Sequence, residues 1–146
     1  METPFVFGPV QKLWLHNLKT FPERQNKYLL GDGTLENYTS CCLGELLVCN
    51  AIVNDLPIPF VNGIIVDGMD KIKINSYEDG VLSNSFKELG LFNSEGRINN
   101  ITLIIKSDET SLEYDTLVNA NDEMATWPQI AAFVEQHPES VFTKSF

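Results

Sequence analysis

The sequence of 146 residues predicts one α+β domain, in which N-terminal, central buried and C-terminal helices pack on β-hairpins that form a small antiparallel sheet. Helical apolar patterns occupy residues 9–19, 40–54 and 126–137. The residues between 58 and 114 form β-rich runs separated by turn residues. A chain of this length buries roughly 70% of the surface that its unfolded form exposes, so it needs no disulfide or metal for stability.

The N-terminal helix is predicted to begin at Pro9, because proline suits the first helical position, and to end before Pro22. Its apolar residues recur at helical spacing: Val10, Leu13, Trp14 and Leu18. Residues 23–40 are interpreted as a loop, with a turn at residues 31–33, Gly-Asp-Gly.

The central helix is predicted to run from an N-cap at Thr39 or Ser40 to about Asn54. Apolar residues cover most of its circumference: Cys42, Leu43, Leu46, Leu47, Cys49, Ile52 and Val53. A helix that is apolar nearly all round is usually buried, so this one is predicted to be the spine of the fold.

Two hairpins and a short helix are predicted next. The first hairpin turns at Asp67-Gly68, and the second turns near residues 107–110 within "NITLIIKSDETSLEYDTL". A capping box of Ser85 and Glu88 begins a helix of one or two turns between them, which Gly90 ends.

The C-terminal helix has the strongest local signals. Thr126 and Gln129 form a capping box, Pro128 lies in the tolerated first turn, and Pro138 ends the helix. Its apolar stripe consists of Trp127, Ile130, Phe133 and Val134.

The charge is strongly acidic and unevenly distributed. The net charge is −10, and residues 107–146 contain eight acids against the single base Lys144, a local net of −7. This balance disfavours binding to nucleic acid or to an anionic membrane, both of which require clustered cations. It fits either a soluble protein that repels its own copies or an acidic face that docks on a basic partner. No apolar run reaches the length of a membrane span, and no secretory signal is recognisable.

The three cysteines are predicted to be reduced and mainly structural. Cys41 and Cys42 are adjacent, so their side chains diverge on a helix and do not suit one metal ion; no metal site is predicted. A thiol at a helix N-terminus has a lowered pKa, which makes Cys41 or Cys42 a weak candidate nucleophile, with His16 as the base.

Other polar residues are candidates for binding. Adjacent acidic pairs are expected to form a solvated face. Asn121 and Asp122 precede the last helix, where they either tie the loop to its own backbone or contact a ligand. A pocket for an anionic small molecule would take its cations and aromatic rings from a further set: Lys19, Arg24, Lys27, Tyr28 and Tyr38.

The order of these motifs resembles a family of small bacteriophage proteins. That family has a Trp-x-x-x-Leu helix, a glutamine-containing turn, a Cys-Cys-Leu-Gly-x-Leu helix, a Leu-Gly-Leu segment and a closing Asn-Asp before an Ile-Ala helix. The matching residues here are Trp14, Leu18, Gln25, residues 41–46, residues 89–91, Asn121, Asp122, Trp127, Ile130, Ala131 and Glu135.

The resemblance implies a phage accessory protein that acts in the host cytoplasm, and it implies neither catalytic residues nor a cofactor. The first functional hypothesis is therefore a non-enzymatic module that binds a host protein through its acidic surface, for host takeover or anti-defence. The alternatives are a sponge for a nucleotide-type immune signal, a small cysteine-dependent hydrolase or transferase, and a virion component. Self-association into a homo-oligomer is compatible with each.

Overall fold

The computed structural model describes residues 4–27, 31–56, 60–61, 64–65, 89–93, 95–106 and 109–146. Its helices are α1 (Pro9–Thr20), α2 (Cys42–Val53), α3 (Leu117–Asp122), α4 (Trp127–Gln136) and α5 (Pro138–Val141), with a 3-10 turn at Pro22–Arg24. Its strands are β1 (Gly31–Thr34), β2 (Asn37–Ser40), β3 (Phe60–Val61), β4 (Ile64–Ile65), β5 (Leu103–Lys106) and β6 (Ser111–Tyr114). The predicted α+β class is confirmed.

The described strands form two antiparallel sheets. One has the order β2-β1-β4-β3, and the other is the hairpin β5–β6, in which Leu103 pairs with Tyr114 and Lys106 with Ser111. The second predicted hairpin is thus confirmed. The hairpin predicted at Asp67-Gly68 and the helix predicted at Ser85–Glu88 lie outside the described residues.

The predicted turn at residues 31–33 is wrong, because these residues form β1. Asp32 pairs with Thr39 and Gly33 with Tyr38, so the turn falls at residues 35–36. A side-chain hydrogen bond from Thr39 Oγ1 to Asp32 Oδ1, 3.0 Å long, reinforces the register. Gly33 has a φ of +119°, a conformation that side chains rarely adopt, which explains why a turn-like sequence is found in a strand.

The central helix α2 is buried as predicted, but its boundaries and faces differ. Thr39 and Ser40 belong to β2, so the N-cap is Cys41, whose sulfur accepts a hydrogen bond from the Gly44 N–H at 3.4 Å. Ile52 and Val53 are exposed, against the prediction, whereas the buried positions of α2 include Glu45.

The core forms where α1 packs against both α2 and α4, and α3 contacts α2, α4 and β6. Trp14 donates its indole N–H to the Cys42 carbonyl oxygen at 2.7 Å, which links α1 to α2. The largest fully buried side chains are Trp14, Leu18, Leu43, Leu46, Leu91, Leu103, Leu117, Trp127 and Ile130.

Both terminal helices are confirmed. Thr126 and Gln129 form the predicted capping box of α4, with Thr126 N donating to Gln129 Oε1 at 2.9 Å. The first turn of α1 has a long-range partner as well. The Gln11 side chain accepts from Gly8 N at 2.9 Å and from Phe146 N at 3.2 Å, and it donates to Lys144 O at 2.9 Å.

Among the residues described, no helix combines the length and the apolar character that a bilayer span requires.

Candidate functional site

A buried charged cluster lies where the 3-10 turn, β2 and α2 meet. Its members are Arg24, Tyr38 and Glu45, which we call the Glu45 cluster. Glu45 is completely buried, and the Tyr38 hydroxyl donates to its carboxylate at 2.5 and 2.7 Å. Arg24 Nη1 lies 3.6 Å from Glu45 Oε1, and the Arg24 side chain keeps 28% of its exposure.

Local structure positions each member of the Glu45 cluster. Glu45 lies in the first turn of α2, where the helix dipole favours a negative charge. Arg24 ends the 3-10 turn, and its guanidinium carbon lies 4.1 Å from the Phe21 ring centre and 5.0 Å from that of Tyr38. These ring contacts and the carboxylate already engage the Arg24 cation within the chain.

Burial sets the protonation behaviour of the cluster. It raises the pKa of Glu45, while the Tyr38 hydrogen bond and Arg24 act in the opposite direction. Burial, reinforced by the Glu45 charge, raises the pKa of Tyr38 and of Cys49 above their ordinary values. The Tyr38 hydroxyl and the Cys49 thiol therefore stay protonated at neutral pH, and Cys49 accepts a hydrogen bond from Asn17 Nδ2 at 3.5 Å.

The other predicted cations do not join Arg24. Lys19 Nζ pairs with Glu135 at 2.5 Å on the surface, and Lys27 Nζ donates to the Glu123 carbonyl oxygen at 2.7 Å. The structure thus brings Arg24 and Tyr38 together and directs Lys19 and Lys27 toward the C-terminal third of the chain. The remaining candidate of this set, Tyr28, lies outside the described residues.

The candidate thiols and their candidate base lie in different environments. Cys41 and Cys42 have no exposed surface, and burial raises the pKa of Cys42 far above its ordinary value, with Cys41 and Asp122 adding to the effect. The Cys42 thiol donates to Leu117 O at 3.8 Å. His16 lies on the exposed side of α1. A solvent-borne substrate therefore reaches His16 but not the thiols.

Asn121 is the centre of a second buried polar arrangement, which we call the Asn121 junction. Its Oδ1 accepts hydrogen bonds from Cys42 N at 3.1 Å and from Trp127 Nε1 at 3.0 Å. Its Nδ2 donates to Asn26 O at 2.8 Å and to Asp122 Oδ1 at 3.2 Å. Because both side-chain polar atoms are engaged, Asn121 ties segments of the chain together rather than presenting a group to a ligand.

Gln25 completes the Asn121 junction. Its Nε2 donates to Ala125 O at 2.8 Å and to the oxygens of Asn121 at 3.2 and 3.3 Å, and its Oε1 accepts from Trp127 N at 3.1 Å. Sequence reasoning assigned no such role to Gln25, nor any role to Glu45. For Glu45, the available signal is one acid inside an otherwise apolar helix, since such an acid needs a buried partner.

The surface of the C-terminal third presents carboxylates that have no ion-pair partner in the described part of the chain. Two ion pairs are present among the described residues, Lys19–Glu135 and Arg24–Glu45. Within residues 109–146, the exposed acids that take part in neither are Glu109, Glu113, Asp115, Glu123 and Glu139. Within the same described ranges, no three histidine, cysteine or acidic side chains are grouped in a way that would hold a metal ion.

Comparison of the chain with protein families, with curated proteins and with solved structures gives no match. The resemblance to phage proteins and the functions that it implies therefore stay predictions.

Proposed function

We propose that this protein is a non-enzymatic binding module, a phage accessory factor that docks on the basic surface of a host protein in the host cytoplasm. The observation that carries the proposal is the set of five exposed acids in the C-terminal third that have no ion-pair partner among the described residues. Unpaired surface carboxylates remain free to steer and orient a cationic partner.

The burial of the reactive groups supports binding rather than thiol chemistry. A catalytic thiol needs a lowered pKa and access to its substrate. Cys42 has a raised pKa and no exposed surface, and Cys41 is equally buried. The cysteines of α2 act as small apolar residues in the core.

The engagement of the cations weighs against the nucleotide-sponge alternative. Arg24 is held by Glu45 and two aromatic rings, and Lys19 is held by Glu135. A nucleotide phosphate would have to displace an existing partner at each of these positions, and that cost lowers its affinity.

A pull-down of tagged protein from host lysate tests the proposal. Washes at about 50 and 300 mM salt are compared, because the higher salt concentration screens surface charges and shortens the distance over which they act. The test variant is E113Q/D115N/E123Q/E139Q. The matched control is E23Q/E36Q/D55N/E95Q, which removes four exposed acids from other parts of the chain and gives the same net charge.

We expect a stoichiometric basic protein that is lost at the higher salt concentration and from the test variant, but is retained by the control. Equal retention by both variants would contradict docking through the C-terminal third. Release of a nucleotide from the heated protein would favour the sponge instead.

A further inference from the structure

The outer part of the β5–β6 hairpin is exposed on both of its faces. Its innermost pair, Leu103 with Tyr114, is buried in the core. Of the six strand residues beyond that pair, 104–106 and 111–113, five are exposed and Ile105 is half-buried. A two-stranded hairpin is only marginally stable in water by itself, and a third strand or a packed helix normally completes it.

Strand β6 has one edge without a strand partner in the described part of the chain. Its sheet consists there of β5 and β6 alone, and the bridge between Arg97 and Thr116 lies past the end of β6. An unpaired edge presents a row of backbone N–H and C=O groups on which a further strand can form. Proline or a bulge often blocks such an edge, but Ser111–Tyr114 contains no proline and pairs with β5 without a break in register.

The acidic charge of the hairpin is concentrated on β6. Glu113 lies within the strand, Glu109 precedes it and Asp115 follows it. All three are exposed, and none takes part in an ion pair among the residues described. Strand β5 carries Lys106 and no acid. Residues 103–115 contain four acids against that one base, a net charge of −3, so the edge of β6 attracts a cationic strand and the edge of β5 does not.

The two faces of β6 differ in chemistry with the two-residue period of a strand. Leu112, which is 38% exposed, lies on the same face as Tyr114 and pairs with Ile105 of β5. Glu113 lies on the other face and pairs with Ile104. A strand added to this edge therefore meets apolar surface with every second side chain and the Glu113 carboxylate with those between.

We propose that the open edge of β6 binds an extended segment of a protein partner as a third strand, and that this segment alternates apolar and cationic residues. Its backbone hydrogen-bonds to the edge, its apolar side chains cover Leu112, and its cationic side chains meet Glu113. This inference rests on the proposed function, for which it specifies the contact point and the form of the partner.

A second copy of the chain fits this edge poorly. Pairing of two β6 edges would bring the acids of one hairpin close to those of the other, and like charges on paired strands are destabilising. Each chain also carries a net charge of −10, so two copies repel each other at longer range. The carboxylates that keep copies apart are the groups that a cationic strand neutralises.

The test uses the peptide acetyl-Val-Lys-Val-Lys-Val-Lys-Val-amide, titrated into the full isotope-labelled chain and followed by amide chemical shifts. The control peptide acetyl-Val-Val-Val-Val-Lys-Lys-Lys-amide has the same composition without the alternation. We expect saturable shifts at residues 111–114 and an affinity at least about fivefold weaker for the control peptide. The bound alternating peptide should also slow hydrogen exchange at every second backbone N–H of β6, because alternate residues point away from β5.

Protein variants test the position of the contact. Affinity should fall about five- to tenfold for Glu113→Lys, which replaces an attraction with a repulsion, and about two- to threefold for Glu113→Gln, which removes the attraction alone. The matched control is Glu36→Lys, an exposed acid in the turn between β1 and β2, for which we expect a change of less than about twofold. Because Glu113 is exposed, its variants should keep the unfolding midpoint of the native chain in urea.

Amide shifts without slower exchange in β6 would indicate contact by charge alone and would overturn strand addition. Equal weakening by Glu113→Lys and Glu36→Lys would overturn it too. If the alternating peptide gives no saturable shift while the four-acid test variant still loses the host protein, the strand is overturned and docking through the C-terminal third stands. The same absence together with equal retention by the two four-acid variants would overturn both.

Discussion

The Asn121 junction and the Glu45 cluster hold the same helix by different physical means. The junction binds the first backbone N–H of α2 at Cys42, and the cluster holds the Glu45 side chain less than one turn later. In the junction, neutral amide groups make hydrogen bonds between 2.8 and 3.3 Å. In the cluster, the ionic contact between Arg24 and Glu45 is longer, at 3.6 Å, and one partner reaches solvent.

This difference shows how a buried polar group can be stable in two ways. A neutral amide whose polar atoms are all hydrogen-bonded does not titrate, so its contribution to stability changes little with pH. A buried carboxylate depends on its charge state, because the protein environment disfavours the ionised form. The two regions should therefore respond differently to truncation and to pH.

The largest expected effect follows from truncation of the junction. Asn121→Ala leaves Cys42 N, the Trp127 indole N–H and Asn26 O without their partner inside the core. We expect a loss of about 3–5 kcal/mol in the free energy of unfolding, measured by urea denaturation.

The control for this truncation is Asn119→Ala, an exposed position in the same helix, for which we expect a change within about 0.5 kcal/mol. Similar losses for the two variants would mean that α3 itself, rather than the buried amide, determines stability there.

A change of pH should separate the cluster from the junction. Glu45 has a folded-state pKa above its unfolded value of about 4.3, so its contribution to stability is complete below that pH. It is lost as the pH rises through the folded-state pKa. Glu45→Gln lacks this titration, so its stability relative to the native chain should increase as the pH rises from about 4 to 8.

The measurement is the urea midpoint of both proteins at intervals across this range, with Glu139→Gln as the control for an exposed carboxylate. Parallel curves for the native chain and Glu45→Gln would show that Arg24 and Tyr38 fully offset the burial of the carboxylate.

The smallest effect is expected for an ion pair that is not buried. Lys19 and Glu135 pair at 2.5 Å, with side chains 48% and 39% exposed. Lys19→Ala should cost less than about 0.5 kcal/mol, and the cost should disappear in about 1 M salt. A loss that persists in salt would point to packing by the lysine stem, which Lys19→Met would restore.

The elements that the sequence predicts correctly are those with local determinants. The capping box of Thr126 and Gln129 spans three residues, and the β5–β6 hairpin has its turn and both strands within 12 residues. The strand β1 was missed because its Gly-Asp-Gly composition favours a turn. Its pairing with β2, which also takes Thr39 and Ser40 away from α2, outweighs that local preference.

The Asn121 junction was harder to predict because its contacts are distant in sequence. Of the residues proposed for an anion pocket, the structure brings Arg24 and Tyr38 together. Gln25 reaches Trp127 and Ala125 across 102 and 100 residues, and no local pattern encodes those bonds. Glu45 is conspicuous in its apolar helix, but its neighbours are fixed only when β2 folds back on α2.

The contacts of Gln11 have a consequence for the order in which the molecule assembles during synthesis. Its amide bonds to Lys144 and Phe146 across 133 and 135 residues, so these bonds to the first turn of α1 form only after those residues have left the ribosome. At ordinary elongation rates that delay is on the order of ten seconds. For that interval the apolar face of α1 can pack on α2, but the N-terminal end of α1 lacks its long-range hydrogen bonds and is held less firmly than in the finished fold.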